Sequence, residues 1–205
     1  MDEHLAGIAA EAIGFMPEEE GMALYRAGLL AADFGPLLEV GSFCGKSAIY
    51  LGAAAEKKMA ILFSVDHHAG SEEHQPGQGY FDERLLDPDT GKVNTLPIFQ
   101  RTIVRAGLEN SVVAIIGESK AVAEKWTKRL GLVFIDGGHS EAAATADYEG
   151  WAPHVRAGGF LAIHDVFPDP AGGGQAPFHI YERALASENF LEVEAIGGLK
   201  ILRRR

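Results

Sequence analysis

Little in this chain is basic, and only one residue is a cysteine. Lys and Arg total 18 against 29 for Asp and Glu, a formal net charge of −11. A surface this acidic repels nucleic-acid phosphates and anionic headgroups, which excludes a sequence-independent grip on nucleic acid or membrane. Cys44 stands alone, so no internal disulfide can staple the fold. No uninterrupted apolar stretch is long enough to span a bilayer, and no segment is of low complexity. Met1-Asp2-Glu3-His4 is acidic where a secretory leader would be basic, so a cytoplasmic location is expected. The one basic run, Arg203-Arg204-Arg205, reads as a solvated tail after the last strand.

Apolar residues are plentiful. They make up 47% of the 205 residues, enough for the core of one α/β domain over residues 1–205. Up to about Phe34 the spacing is helical, through Leu5, Ile8, Ala9 and Ile13 and then Met22, Leu24, Tyr25, Leu29 and Leu30, with Gly14 and Pro17 parting two helices. This pair, residues 1–34, is expected to cap one end of the sheet. From Pro36 short apolar runs (37–40, 60–65, 112–116, 132–135, 160–163) alternate with amphipathic stretches (46–57, 96–106, 121–128, 141–155). That alternation signals a doubly wound, Rossmann-like, mostly parallel sheet with helices on both faces. A helix over 176–186 and two runs, 190–195 and 199–202, add an antiparallel edge hairpin around Gly197-Gly198, for seven strands in all. Residues 67–94 break the rhythm: polar, glycine- and histidine-bearing, without a period. An irregular segment of that length leaving the carboxyl end of the second strand reads as a lid, because ligands bind at that edge of open α/β sheets.

The first strand runs into a glycine loop, Leu37-Leu38-Glu39-Val40-Gly41-Ser42-Phe43-Cys44-Gly45-Lys46-Ser47. Glycines admit a ligand close to the backbone, and the amides opening the following helix favour a polar or anionic group. The loop is one residue too short for a phosphate-binding P-loop, and Phe43 and Lys46 occupy two of the three glycine positions of the dinucleotide fingerprint. Glu39 adds a carboxylate two residues before Gly41, which is costly at a buried strand end unless partnered. Asp66 ends the second strand about twenty residues later, where a carboxylate can accept both hydroxyls of a ribose. An acidic residue followed by Gly-x-x-x-Gly resembles motif I of the class I S-adenosylmethionine-dependent methyltransferases. The resemblance implies S-adenosylmethionine held by Glu39, Gly41, Ser42, Gly45, Ser47 and Asp66, with the adenine beside Glu118 or Ser119.

Two further strand ends carry chemistry, Ile135-Asp136-Gly137-Gly138-His139 and Ile163-His164-Asp165. If the strands are neighbours, Asp136, His164 and Asp165 converge next to the cofactor and suit a divalent cation with open positions. The two segments are similar to the metal-dependent O-methyltransferases related to catechol methyltransferase, and more closely to a sugar-modifying and cephalosporin-hydroxylase-like branch that includes sugar methylation in methylmannose polysaccharide synthesis. That likeness spans residues 37–165 and implies Asp136 as the first ligand, His139 as the general base and His164-Asp165 as the acidic pair. His164 departs from the pattern, standing where a carboxylate is usual. Imidazole is a poor ligand for Mg²⁺ and a better one for Mn²⁺, so either the metal is softer or Asp136 and Asp165 suffice. His139, with an ordinary pKa of about 6.5, suits proton removal from a hydroxyl. The polar lid, with His67, His68, His74 and Tyr80, suits a small hydroxylated acceptor such as a carbohydrate, and three histidines so spaced match no common zinc set. The expectation is a metal-dependent O-methyltransferase, with family habit adding a homodimer. A non-methylating enzyme of the same branch and a non-catalytic nucleotide-binding protein are the competing readings.

Overall fold

The computed structural model describes residues 1–205 as seven strands and seven α-helices. In chain order these are α1 (Glu3–Glu11), α2 (Glu18–Ala31), β1 (Leu37–Val40), α3 (Lys46–Lys57), β2 (Leu62–Asp66), α4 (Leu96–Arg105), β3 (Val112–Ile116), α5 (Ser119–Ala123), β4 (Leu130–Ile135), α6 (Glu141–Trp151), β5 (Val155–Ile163), α7 (Ala176–Ala186), β6 (Phe190–Ile196) and β7 (Leu199–Arg204). They form one sheet in the order β3-β2-β1-β4-β5-β7-β6. The first five strands are parallel, and β7 runs antiparallel between β5 and β6. The strand order reverses between β1 and β4, so the crevice outside their carboxyl ends is the ligand-binding place in such sheets.

Alternation along each strand sends side chains to two cores. Leu37, Leu62, Leu132, Phe134 and Phe160 pack under α1–α4, whereas Leu38, Val65, Val133, Leu161 and Ile163 pack under α5–α7. The N-terminal pair lies along the first of these faces, with α2 packed lengthwise on α3. Gly21 makes this close approach possible, since a Cβ there would fall 2.3 Å from the Tyr50 ring. At its start, α1 is capped by Asp2, whose side chain accepts the Leu5 N–H at 2.8 Å.

Two expectations are corrected. The arginine run is no solvated tail: β7 extends to Arg204, whose guanidinium donates to the carbonyls of Ala152, Pro153 and Val155 at 3.1, 2.9 and 2.6 Å. The same turn also takes the Val155 N–H at Ala152 O and the Arg129 guanidinium at Pro153 O, so Arg204 adds to carbonyls already in use. The helix expected over 121–128 is a single turn, Ser119–Ala123. Beyond it the chain turns so that Trp126 packs edge-on against Phe63 and Trp151. The 67–94 segment holds two short 3₁₀ turns, Glu72–His74 and Glu83–Leu85. Its buried Leu85 and Val93 pack on Cys44 and strap it to the domain.

Candidate functional site

A cavity of about 460 Å³ opens at the carboxyl ends of β1, β2, β4 and β5, beneath the 67–94 segment. The glycine loop forms its floor. Gly41 has φ +86°, and a Cβ there would lie 2.0 Å from the carbonyl oxygen of Asp136, so only glycine lets β1 leave the sheet past the end of β4. Asp66 ties the loop to β2: its two oxygens accept the N–H groups of Phe43 at 2.8 Å and His68 at 2.7 Å. Gly41, Ser42, Ser47, Asp66, Glu118 and Ser119 all border the cavity. The Ser42 hydroxyl there is buried without a partner, which is costly unless a ligand supplies one.

Glu39 and Gly45 stand behind that wall rather than in it. The Glu39 carboxyl is fully buried and accepts hydrogen bonds from Ser64 Oγ at 2.6 Å and Ser47 Oγ at 2.8 Å. Burial pushes its pKa up to about 7, against the two hydroxyls and with help from the charges of Asp136 and Asp66. Its partners are neutral, so proton loss is costly there.

The β4 and β5 ends are built with cations instead. One ligand atom from each of Asp136, His139 and Asp165 lies within 4.8 Å of the other two. His139 sits between carboxylates, with Nε2 3.1 Å from Asp165 Oδ2 and Nδ1 3.1 Å from Glu73 Oε2. The Asp165 hydrogen bond, and then Glu73, hold its pKa at about 9 although burial opposes the charge. Asp165 adopts φ +55°, strained for a non-glycine residue and tolerated where surrounding structure enforces it. Burial alone would raise its pKa, yet hydrogen bonds from His139 and His164 hold it well below the carboxylate range.

His164 faces carboxylates on both ring nitrogens. Nε2 is 2.6 Å from Glu20 Oε2, while Nδ1 is 3.1 Å from Asp136 Oδ1 and 3.5 Å from Asp165 Oδ2. Only 5% exposed, it keeps its proton far above the histidine range because these carboxylates, Asp136 foremost, outweigh the burial that opposes it. It therefore braces Asp136 and Asp165 from behind, and the residues whose ligand atoms converge are Asp136, His139 and Asp165.

Sequence reasoning missed three groups. Glu20 of α2 also accepts the Gly198 N–H at 2.7 Å and so locks the β6–β7 turn to the site. In the sequence it is one of three acids in a helix's first turn, where acids are favoured without any tertiary role. Glu73 lies in an aperiodic segment, and Asp147 on a helix otherwise rich in alanine; neither carries a local signal.

Residues 38–166, from β1 through β5 and including every acid and histidine at the strand ends, match the family described as Methyltransferase domain. The chain belongs to this methyltransferase family. Solved structures of similar fold agree. The O-methyltransferase NovP is 17% identical over 98% of this methyltransferase and 95% of its own chain, with a TM-score of 0.67. TomG from Streptomyces achromogenes, an O-methyltransferase of tomaymycin synthesis in complex with SAM, is 15% identical over 100% of this chain and 90% of its own, with a TM-score of 0.66. An O-methyltransferase from Bacillus cereus in complex with SAH is 16% identical, covering 100% and 92%, with a TM-score of 0.63. At these identities the likeness establishes the Rossmann-like methyltransferase fold of this chain.

Proposed function

We propose that this methyltransferase uses S-adenosylmethionine to methylate a hydroxyl of a small polar acceptor, a sugar or oligosaccharide, with a divalent cation at Asp136 and Asp165. The observation that carries this reading is the placement of the Asp136, His139 and Asp165 cluster in the same cavity as the glycine loop. The residues fit the cofactor: Gly41 leaves the backbone bare, the buried Ser42 hydroxyl lacks a partner, and the Asp66 carboxylate stands at the β2 end. The complexes of TomG with SAM and of the Bacillus cereus enzyme with SAH support the same choice. The carboxylates of Asp136 and Asp165 suit a hard cation such as Mg²⁺ or Mn²⁺.

Bound here, S-adenosylmethionine would supply a methyl on a sulfonium, to pass to the acceptor oxygen as the C–S bond breaks with sulfur keeping the electron pair. The chain contributes positioning, which converts an encounter of two molecules into a reaction within one complex. It also handles the proton. His139 holds its own proton up to about pH 9 while Asp165 and Glu73 remain uncompensated. A divalent cation held by Asp136 and Asp165 would supply opposing charge and so favour a neutral His139, able to take the hydroxyl proton. His164 and Glu20 keep the two aspartates aimed. The polar lining of the 67–94 segment, with Ser71, Glu72 and Glu73 on the cavity wall, offers hydrogen-bonding groups suited to a carbohydrate.

Titration calorimetry with S-adenosylhomocysteine tests the reading, with ATP and NAD as controls and with Mg²⁺ or Mn²⁺ present or removed by chelator. Micromolar binding of S-adenosylhomocysteine alone supports the cofactor and opens an acceptor screen beginning with mannosides. Binding of ATP or NAD in its place would overturn it.

A further inference from the structure

Two aromatic rings stand largely in solvent beside the cavity. Phe15 is 63% exposed and Tyr80 54%, and their centroids lie 5.2 Å apart, edge to face. They end a row of rings that leads outward from the proposed base. Glu73 touches His139, and the next residue, His74, stacks on Phe43 at 4.8 Å. Phe15 lies 6.0 Å from the Phe43 ring and 6.2 Å from that of His74. The row is fixed from both sides. The Tyr80 N–H donates to the Glu73 carbonyl at 3.2 Å, and Ser71 Oγ pairs with His74 Nδ1 at 2.8 Å. Gly14 lets the link between α1 and α2 lie against α3, since a Cβ there would fall 3.0 Å from Lys46 Cβ. Single exposed apolar side chains are ordinary, but contiguous exposed rings mark a contact surface. Next to them a groove of about 370 Å³ adjoins the cavity and shares Ile13, Gly14, Phe15, Phe43 and Lys46 with it. Tyr80, Asp82 and Arg84 line the groove alone.

We propose that this groove is a second acceptor subsite, where Phe15 and Tyr80 stack on the sugar ring next to the one methylated, so that an acceptor of two rings is preferred to one. The assignment rests on the carbohydrate reading above and deepens it. A sugar ring presents an apolar C–H face and a rim of hydroxyls. The faces of Phe15 and Tyr80 suit the first, and the charged groups of Lys46, Asp82 and Arg84 suit the second. Asp82 and Arg84 are already set in place, with Arg84 Nε 2.9 Å from each Asp82 oxygen. A wholly apolar group would cover the same charges without pairing them, which is costly. The groove also opens onto the cavity, so one molecule can reach both hollows.

The test is calorimetry on the full chain saturated with S-adenosylhomocysteine, using methyl α-glycosides of one sugar ring and of two, in the mannose and glucose series. The wild type is expected to bind two rings roughly tenfold more tightly than one, the scale of two aromatic contacts. Both side chains are more than half exposed, so truncating either spares the core. In Tyr80→Ala the advantage of the second ring should shrink to about threefold, and with Phe15→Ala added it should vanish. Tyr80→Phe keeps the aromatic face and should keep the advantage. Equal wild-type affinity for one ring and two, or a Tyr80→Ala variant with the full wild-type advantage, would overturn the subsite and leave the carbohydrate reading standing. Binding of neither length in either series would overturn both.

Discussion

The cavity has two walls, and each solves the problem of a buried carboxyl group differently. On the glycine-loop side, Glu39 is held by the hydroxyls of Ser47 and Ser64, and Asp147 by that of Ser119. On the β4–β5 side, Asp165 is held by the rings of His139 and His164. Neutral donors do not compensate the desolvation of a carboxylate, so Glu39 and Asp147 rise to about 7 and 6. Charged donors reverse the balance, and Asp165 falls well below its ordinary value. One residue class thus yields carboxyl groups of raised pKa among neutral donors and a fixed ionic cluster among charged ones.

Breaking the ionic wall should cost most. His139→Ala removes the proposed proton acceptor, and turnover should fall by roughly 10²–10⁴-fold, the usual worth of such a group. Affinity for S-adenosylhomocysteine should stay near wild type, because the proposed role of the ring is toward the acceptor and not the cofactor. Full turnover in this variant would remove His139 from the mechanism. Its pH profile sharpens the point. Without a cation, activity should climb toward pH 9 as the proton leaves His139, and saturating Mg²⁺ or Mn²⁺ should move that limb to lower pH. Next comes Glu20→Ala, which leaves the His164 ring and the Gly198 N–H without their buried partner. Removing one member of a buried ion pair costs about 3–5 kcal/mol, readable as a lowered denaturation midpoint at pH 7. A loss below about 1 kcal/mol would mean that the brace behind the two aspartates is dispensable.

Much of this architecture was legible because its signals are local. Apolar runs and helical spacing placed β1, β3, α3, α4 and α7 within a residue of where they lie, and each strand-end acid is visible beside the strand it ends. The pairs that charge the site are not local. Glu20 and His164 stand 144 residues apart, and Glu73 and His139 stand 66 apart. No spacing rule reaches that far, and an acid in a helix's first turn looks the same whether it faces water or a buried imidazole. Arg204 was misread for the same reason: its three carbonyl partners lie about fifty residues upstream. The far-side partner of His164 was hidden in the same way: it is Glu20, on a helix from the other end of the chain.

The neutral wall yields smaller effects with a sign that pH can read. Glu39 has its folded pKa raised from 4.5 to about 7. Its contribution to stability is therefore fully present below pH 4.5 and is lost as pH rises through 7. Glu39→Gln cannot ionise and keeps groups able to bond both serines, so it should match the wild type at low pH and exceed it by up to about 3 kcal/mol above pH 8. Chemical denaturation at both pH values checks this, and a wild-type advantage at pH 8 would show that the carboxylate is stabilising after all. Ser64→Ala is the finer probe. At pH 5 Glu39 is protonated and loses one ordinary hydrogen bond, about 1 kcal/mol. Above pH 8 the bond lost is to a carboxylate, about 1.5–3 kcal/mol, so the penalty should grow with pH and the titration of Glu39 should move higher. A penalty of the same size at both pH values would mean that Glu39 does not change charge across that range, and the contrast between the two walls would then rest on Asp147 alone.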